Sequence, residues 1–183
     1  MTMTPNWFIA LPVPAEAWVE ALTPVPPGAR RFHASDVHVT VAFLGGVGEE
    51  RAQAAWEVAL ALPQRGPFSF RPGRIKPFGG RRPSAWSVVP ADDAPDLTAF
   101  IADVRGAMSE AAGVPADRRQ VKPHATLARP GRQATYEVTD AIDAWAETQR
   151  LPEEPVTLER IALYTWSALR GENLFRVVAE RAL

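Results

Sequence analysis

The 183-residue chain has three histidines, and two of them, His38 and His124, are each followed two places later by a threonine. The segments read His38-Val39-Thr40-Val41 and His124-Ala125-Thr126-Leu127. With eleven threonines in the chain, a Thr at that offset from a given His arises by chance about 6% of the time, and at two of three about 1%. The doubling therefore asks for a chemical reason. Imidazole titrates near neutral pH, so one ring of a pair can accept a proton while the other gives one. In an extended strand, residues i and i+2 share a face. Each motif then offers an imidazole and a hydroxyl side by side, with Val39, Val41, Ala125 and Leu127 turned to the core. Two such pairs across a cleft suit displacement at phosphorus. One ring takes the nucleophile's proton, the other protonates the leaving oxygen, and Thr40 and Thr126 donate to the non-bridging oxygens. Arg129, three residues beyond Thr126, is a candidate phosphate clamp.

Other chemistries lack their residues. Without cysteine there is no disulfide, zinc–thiolate site, iron–sulfur cluster or thiol nucleophile. No helical His-x-x-x-His occurs, so no metal site is expected. A serine nucleophile has no Gly-x-Ser-x-Gly elbow, and no glycine-rich phosphate loop is present. His33 reads as surface or structural. Asp92, Asp93 and Asp96 read as a solvated loop and helix start rather than a metal nest.

Around the motifs, Val37 to Leu44 reads as a β-branched strand ending at Gly45-Gly46, and Val121 to Ala128 as a strand holding the second motif. Strands are also expected over 7–11, 68–75 and 85–89, with a final pair over 156–166 and 173–179 around a turn at Arg170-Gly171. Helices are expected over 15–22, 49–62, 96–112 and 139–149; in the third, Leu97, Ile101, Val104, Met108 and Ala111 recur at steps of four and three. Strands and helices mix without a steady βαβ alternation, which makes the fold class α+β with antiparallel sheet. The two motifs lie about half a chain apart, as two related lobes facing each other would place them.

Hydrophobic residues at 46% and charged residues at 22% allow a core without staples, in one domain over 1–183. The opening Met1-Thr2-Met3-Thr4-Pro5 reads as neither signal peptide nor membrane span, and with no cysteine a cytoplasmic setting fits. A net charge of −1 argues against wholesale binding along a nucleic-acid backbone. Local basic clusters, Arg71, Arg74, Lys76, Arg81 and Arg82, then Arg118, Arg119, Lys122, Arg129 and Arg132, read either as solvated surface or as a mouth for one phosphorylated end.

These residues resemble the 2H phosphoesterase superfamily, specifically the bacterial and archaeal RNA 2′,3′-cyclic phosphodiesterases, also called 2′-5′ RNA ligases. The resemblance runs through Trp7-Phe8-Ile9-Ala10-Leu11-Pro12, His38 to Gly45, Lys122 to Arg129, and Leu163-Tyr164 with Gly171 and Phe175. Trp166 stands where relatives often carry Ser, and Phe175 where Tyr is common; both bear on fine substrate contacts. The resemblance implies a bilobal fold with two pseudo-twofold-related antiparallel sheets, helices outside and a central cleft. It implies a cofactor-free monomer acting on RNA ends or nucleotides with a 2′,3′-cyclic phosphate and leaving a 2′-phosphate. His38 would be the proton donor to the 3′-oxygen and His124 the proton acceptor from water. Ligation is the same chemistry reversed, and a binding module with weak turnover is a further reading.

Overall fold

The computed structural model describes residues 4–169 and 171–183. Met1 to Met3, read above as part of no leader, and Arg170, placed at the last turn, lie outside them. The chain forms β1 (Trp7–Pro12), α1 (Glu16–Val19), β2 (Ala29–Arg31), a 3₁₀ turn (Ala34–Asp36), β3 (His38–Gly45) and α2 (Glu49–Ala61). It continues with β4 (Phe68–Phe70), β5 (Pro72–Phe78), β6 (Ala85–Pro90), α3 (Pro95–Ala111) and β7 (Ala125–Pro130). It closes with α4 (Tyr136–Thr148), β8 (Val156–Leu158), β9 (Arg160–Trp166) and β10 (Phe175–Ala182). The class is α+β with antiparallel strands, as the mixed pattern predicts. No helix among the described residues is long and apolar enough to cross a membrane.

Eight strands pair in the order β10-β9-β1-β3-β7-β6-β5, with β2 also on β7, while β4 and β8 form a small separate sheet. The two halves, β10-β9-β1-β3 and β7-β6-β5 with β2, join through one registered pair, Val39 with Ala125. The pairing thus runs through the junction as a single sheet, with the two motif strands side by side at its middle.

One apolar row crosses that junction. Leu11, Val39, Ala125 and Val88 are successive cross-strand partners, and none is exposed. Behind them the core takes in Ala52 and Trp56 of α2, Leu97, Ile101 and Met108 of α3, and Ile142 and Trp145 of α4. Trp86 reaches from β6 to α4, its indole N–H donating to Asp143 at 2.6 Å. A second, small cluster of Phe8, Ala10, Ala162 and Tyr164, with Phe175 against it, occupies the opposite face of the first half.

Several expected elements differ in extent. The strand expected over 68–75 is two strands in two sheets: Phe68–Phe70 pairs with β8, and Pro72–Phe78 pairs with β6. Pro72 has no N–H to carry one ladder through the switch. The strand expected from Val121 starts only at Ala125, because Pro123 cannot donate to a ladder. His124 therefore sits just before its strand. The first helix is shorter than expected, the last begins at Tyr136 rather than Thr139, and β2 was not anticipated.

Leu127 is fully buried behind the second motif. Leu127→Ala should cost about 2–5 kcal/mol of stability, read as a lower urea midpoint at unchanged slope.

Candidate active site

His38 opens β3 directly after the 3₁₀ turn. His33 caps that turn, its Nδ1 accepting from the Ser35 amide at 3.3 Å, so this exposed histidine has a structural job. Two residues on, His38 Nδ1 lies 2.6 Å from the carbonyl oxygen of Asp36. His124 Nδ1 lies 2.7 Å from the carbonyl oxygen of Lys122, at the same offset. A carbonyl can only accept, so each Nδ1 carries a hydrogen, and in the neutral ring the Nε2 lone pair is free. Both motifs thus prepare the same nitrogen for proton transfer.

The alternation predicted for the motifs is present. Val39, Val41, Ala125 and Leu127 are buried, whereas His38, Thr40, His124 and Thr126 are only half-buried. Extending the Val39–Ala125 register by one residue each way sets His38 across from Thr126 and Thr40 across from His124.

The two rings differ in surroundings. Phe8 stacks on His38 with centroids 4.7 Å apart, Phe175 meets it edge-on at 5.6 Å, and Tyr164 is tilted at 5.4 Å. This aromatic box removes water, and burial holds the His38 pKa down at about 4; the hydrogen bond to Asp36 opposes that, while the charges of Arg129 and His124 add to it. His124 has a single aromatic contact, Phe78 stacked at 4.2 Å. Its pKa is also lowered, by burial first and then by Arg119 and Arg129, against the bond to Lys122. Both rings are therefore biased toward the neutral form.

Beyond Val39 and Ala125 the strands part, and the gap between β3 and the segment before β7 is a cleft of about 820 Å³. Thr40, His124 and Arg129 line it, together with Phe43, Phe78, Arg105, Arg119 and Lys122. His38 and Thr126 do not line that volume. Thr126 instead shares a 3.1 Å hydrogen bond with the fully buried hydroxyl of Ser87. Arg129 also places its guanidinium 5.5 Å from the centroid of Phe32. At the rim, Arg119 holds Asp117 at 2.8 Å and pulls its carboxyl down to about 2. Arg119, Lys122 and Arg129 of the second basic cluster thus reach the cleft; Arg71, Arg74 and Lys76 of the first line a separate depression beside α4. Among the described residues no three His, Asp or Glu side chains gather as a metal site would require.

The motifs by themselves carry no signal for Phe8, Phe78, Ser87 or Asp36, and Phe175, expected outside the motifs to bear on fine substrate contacts, touches His38. Only alternation carried a signal: Ser87 is a polar residue in the middle of an apolar strand.

The two His-x-Thr pairs thus stand at neighbouring antiparallel strands beside a basic cleft. The 2′-5′ RNA ligase superfamily profile matches residues 11–170, and the chain belongs to that family. E. coli LigT complexed with 3′-AMP is 22% identical, with a TM-score of 0.69 over 97% of each chain. LigT complexed with NADP+ is also 22% identical, with a TM-score of 0.66 over 100% of this chain and 99% of that one. A Thermus thermophilus protein is 25% identical, with a TM-score of 0.63 over 97% of each. No curated protein matches.

The depressed His38 pKa has a stability consequence. Between the ordinary value of 6.5 and about 4, the unfolded chain takes up a proton that the native ring refuses. Stability is then complete above pH 6.5 and lost on acidification through that window, by up to about 3 kcal/mol. In His38→Gln the fall in urea midpoint between pH 7 and pH 4.5 should be smaller than in the parent protein.

Proposed function

We propose that this protein hydrolyses 2′,3′-cyclic phosphate ends of RNA or nucleotides to 2′-phosphates, as a monomer and without metal. The observation that carries the reading is the matched pair of imidazoles, each with Nδ1 committed to the carbonyl two residues upstream and Nε2 left to act. Water attacks phosphorus as His124 Nε2 takes its proton. The bond to the 3′-oxygen breaks as that oxygen receives a proton from Nε2 of protonated His38. Thr40 and Thr126 donate to the non-bridging oxygens, and Arg129 offsets the charge they carry. The LigT complexes with 3′-AMP, ATP and NADP+ support a nucleotide phosphate as what the cleft receives.

The assignment of acid and base follows the family resemblance, and the electrostatics bear on its cost. A ring with its pKa near 4 is a strong acid once protonated but seldom holds a proton at pH 7. An arriving phosphate anion favours the imidazolium and loads it. The family's description favours a second reading, joining of RNA ends, in which a 5′-hydroxyl replaces water. Comparing hydrolysis with joining on the same ends separates the two.

Release of a 2′-phosphate from a 2′,3′-cyclic nucleotide should persist in EDTA and fall at least ~10²-fold in His38→Ala and in His124→Ala. Loss of activity in EDTA, or full activity in either variant, would sink the proposal. The profile of kcat/KM against pH should be a bell with its maximum below 6.5. The acid is needed protonated, giving the alkaline limb, and the base neutral, giving the acid limb; burial lowers both pKa values.

A further inference from the structure

We infer that Asp36 is a positioning residue for His38, holding the ring from two sides through its carbonyl and its carboxylate. The carbonyl oxygen accepts the Nδ1 hydrogen of His38 at 2.6 Å. The carboxylate turns the other way, to the point where the β9–β10 hairpin returns. Its Oδ1 accepts the Leu174 and Phe175 amides at 3.0 Å each, and its Oδ2 accepts Leu174 at 2.8 Å. Asp36 is only 1% exposed, and 138 residues separate it from Leu174.

A buried carboxylate is costly unless its lone pairs are satisfied. Here backbone amides satisfy it, and those amides begin β10 at Phe175. Phe175 then meets His38 at 84° and Phe8 at 85°, edge-on in both cases. Phe8 in turn stacks on the face of His38. One residue therefore fixes the ring's tautomer through its main chain and the aromatic wall around the ring through its side chain. Among the described residues nothing equivalent serves His124: the carbonyl there belongs to Lys122, whose side chain is exposed at the cleft. The pseudo-symmetry of the two motifs stops at Asp36, and the sequence marks the spot as Asp-x-His against Lys-x-His.

The charged groups that face His38 are Arg129 and His124. Tyr164, packed against it from β9, stays neutral because burial raises its hydroxyl pKa. Asp36→Asn also removes a negative charge, which by itself would lower the His38 midpoint, so an upward move reads the loosened aromatic wall and not the lost charge.

The test is Asp36→Asn, whose amide nitrogen cannot accept from the hairpin, followed by ¹⁵N NMR of the imidazoles and by kinetics on a 2′,3′-cyclic nucleotide. The His38 titration midpoint should move up toward the ordinary imidazole value, its tautomer, set by the carbonyl that remains, should stay, and the His124 signals should hold. Turnover should fall roughly tenfold or more with KM little changed, since the loss is of orientation and not of phosphate contacts. A folded Asp36→Asn protein with lower stability but a His38 midpoint unmoved or lowered and a parental pH profile overturns the inference, leaving Asp36 a structural anchor. Should that variant not fold, Phe175→Leu keeps the anchor and removes the aromatic edge; it should shift the His38 midpoint the same way, and an unmoved midpoint overturns the inference. The kinetic arm rests on the proposed hydrolysis; the NMR arm needs no substrate, so failure of one is distinguishable from failure of the other.

Discussion

Where β3 meets β7 only Val39 and Ala125 stand in register, and both are sealed from solvent. The site inherits its geometry from that contact. Strand side chains alternate with a period of two, so slipping either strand by one residue would turn its histidine and threonine into the core and its apolar pair out to water. Burial of Leu11, Val39, Ala125 and Val88 as one row makes such a slip expensive on both sides at once. The same contact is short. Beyond it the strands part, and the parting is the cleft. A longer β3–β7 ladder would close that gap, and no ladder would leave the halves unaligned.

Within this near-symmetric frame the two imidazoles are made unequal by what surrounds them. Each holds an upstream carbonyl through Nδ1, which settles the working nitrogen without help from a carboxylate side chain. His38 is boxed by three aromatic rings, whereas His124 leans on Phe78 beside a basic, open cleft. The cost of desolvating a charge falls hardest on the boxed ring. The halves thus share a backbone plan but surround their imidazoles differently, and burial lowers the proton affinity of both.

Features that depend on neighbours in sequence were legible from sequence. The i, i+2 pairing of His with Thr, the apolar residues between them, and the helical steps of Leu97, Ile101, Val104 and Met108 are all local. The strand boundaries failed where a proline intervened: Pro123 delays β7 past His124, and Pro72 divides one apolar run between two sheets. The box around His38 was not legible, since Phe8, Tyr164 and Phe175 reach it from three strands at opposite ends of the chain. Asp36 was hidden for a related reason, because its partners are main-chain amides, which no side-chain pattern announces.

The Ser87–Thr126 hydrogen bond bears on the handedness of the site. Ser87 has no access to water, so the hydroxyl of Thr126 is its partner. When Ser87 donates, the Thr126 proton is left to point outward along a set direction, and the chain of two hydroxyls polarises it. Among the described residues the Thr40 hydroxyl has no such escort to set its proton's direction. The two non-bridging oxygens of a phosphodiester on a chiral sugar are already inequivalent, and here they would meet one preset donor and one without a fixed partner. A chiral environment of that kind gives the two oxygens different duties, so the protein would distinguish one stereoisomer of a sulfur-substituted phosphate from the other.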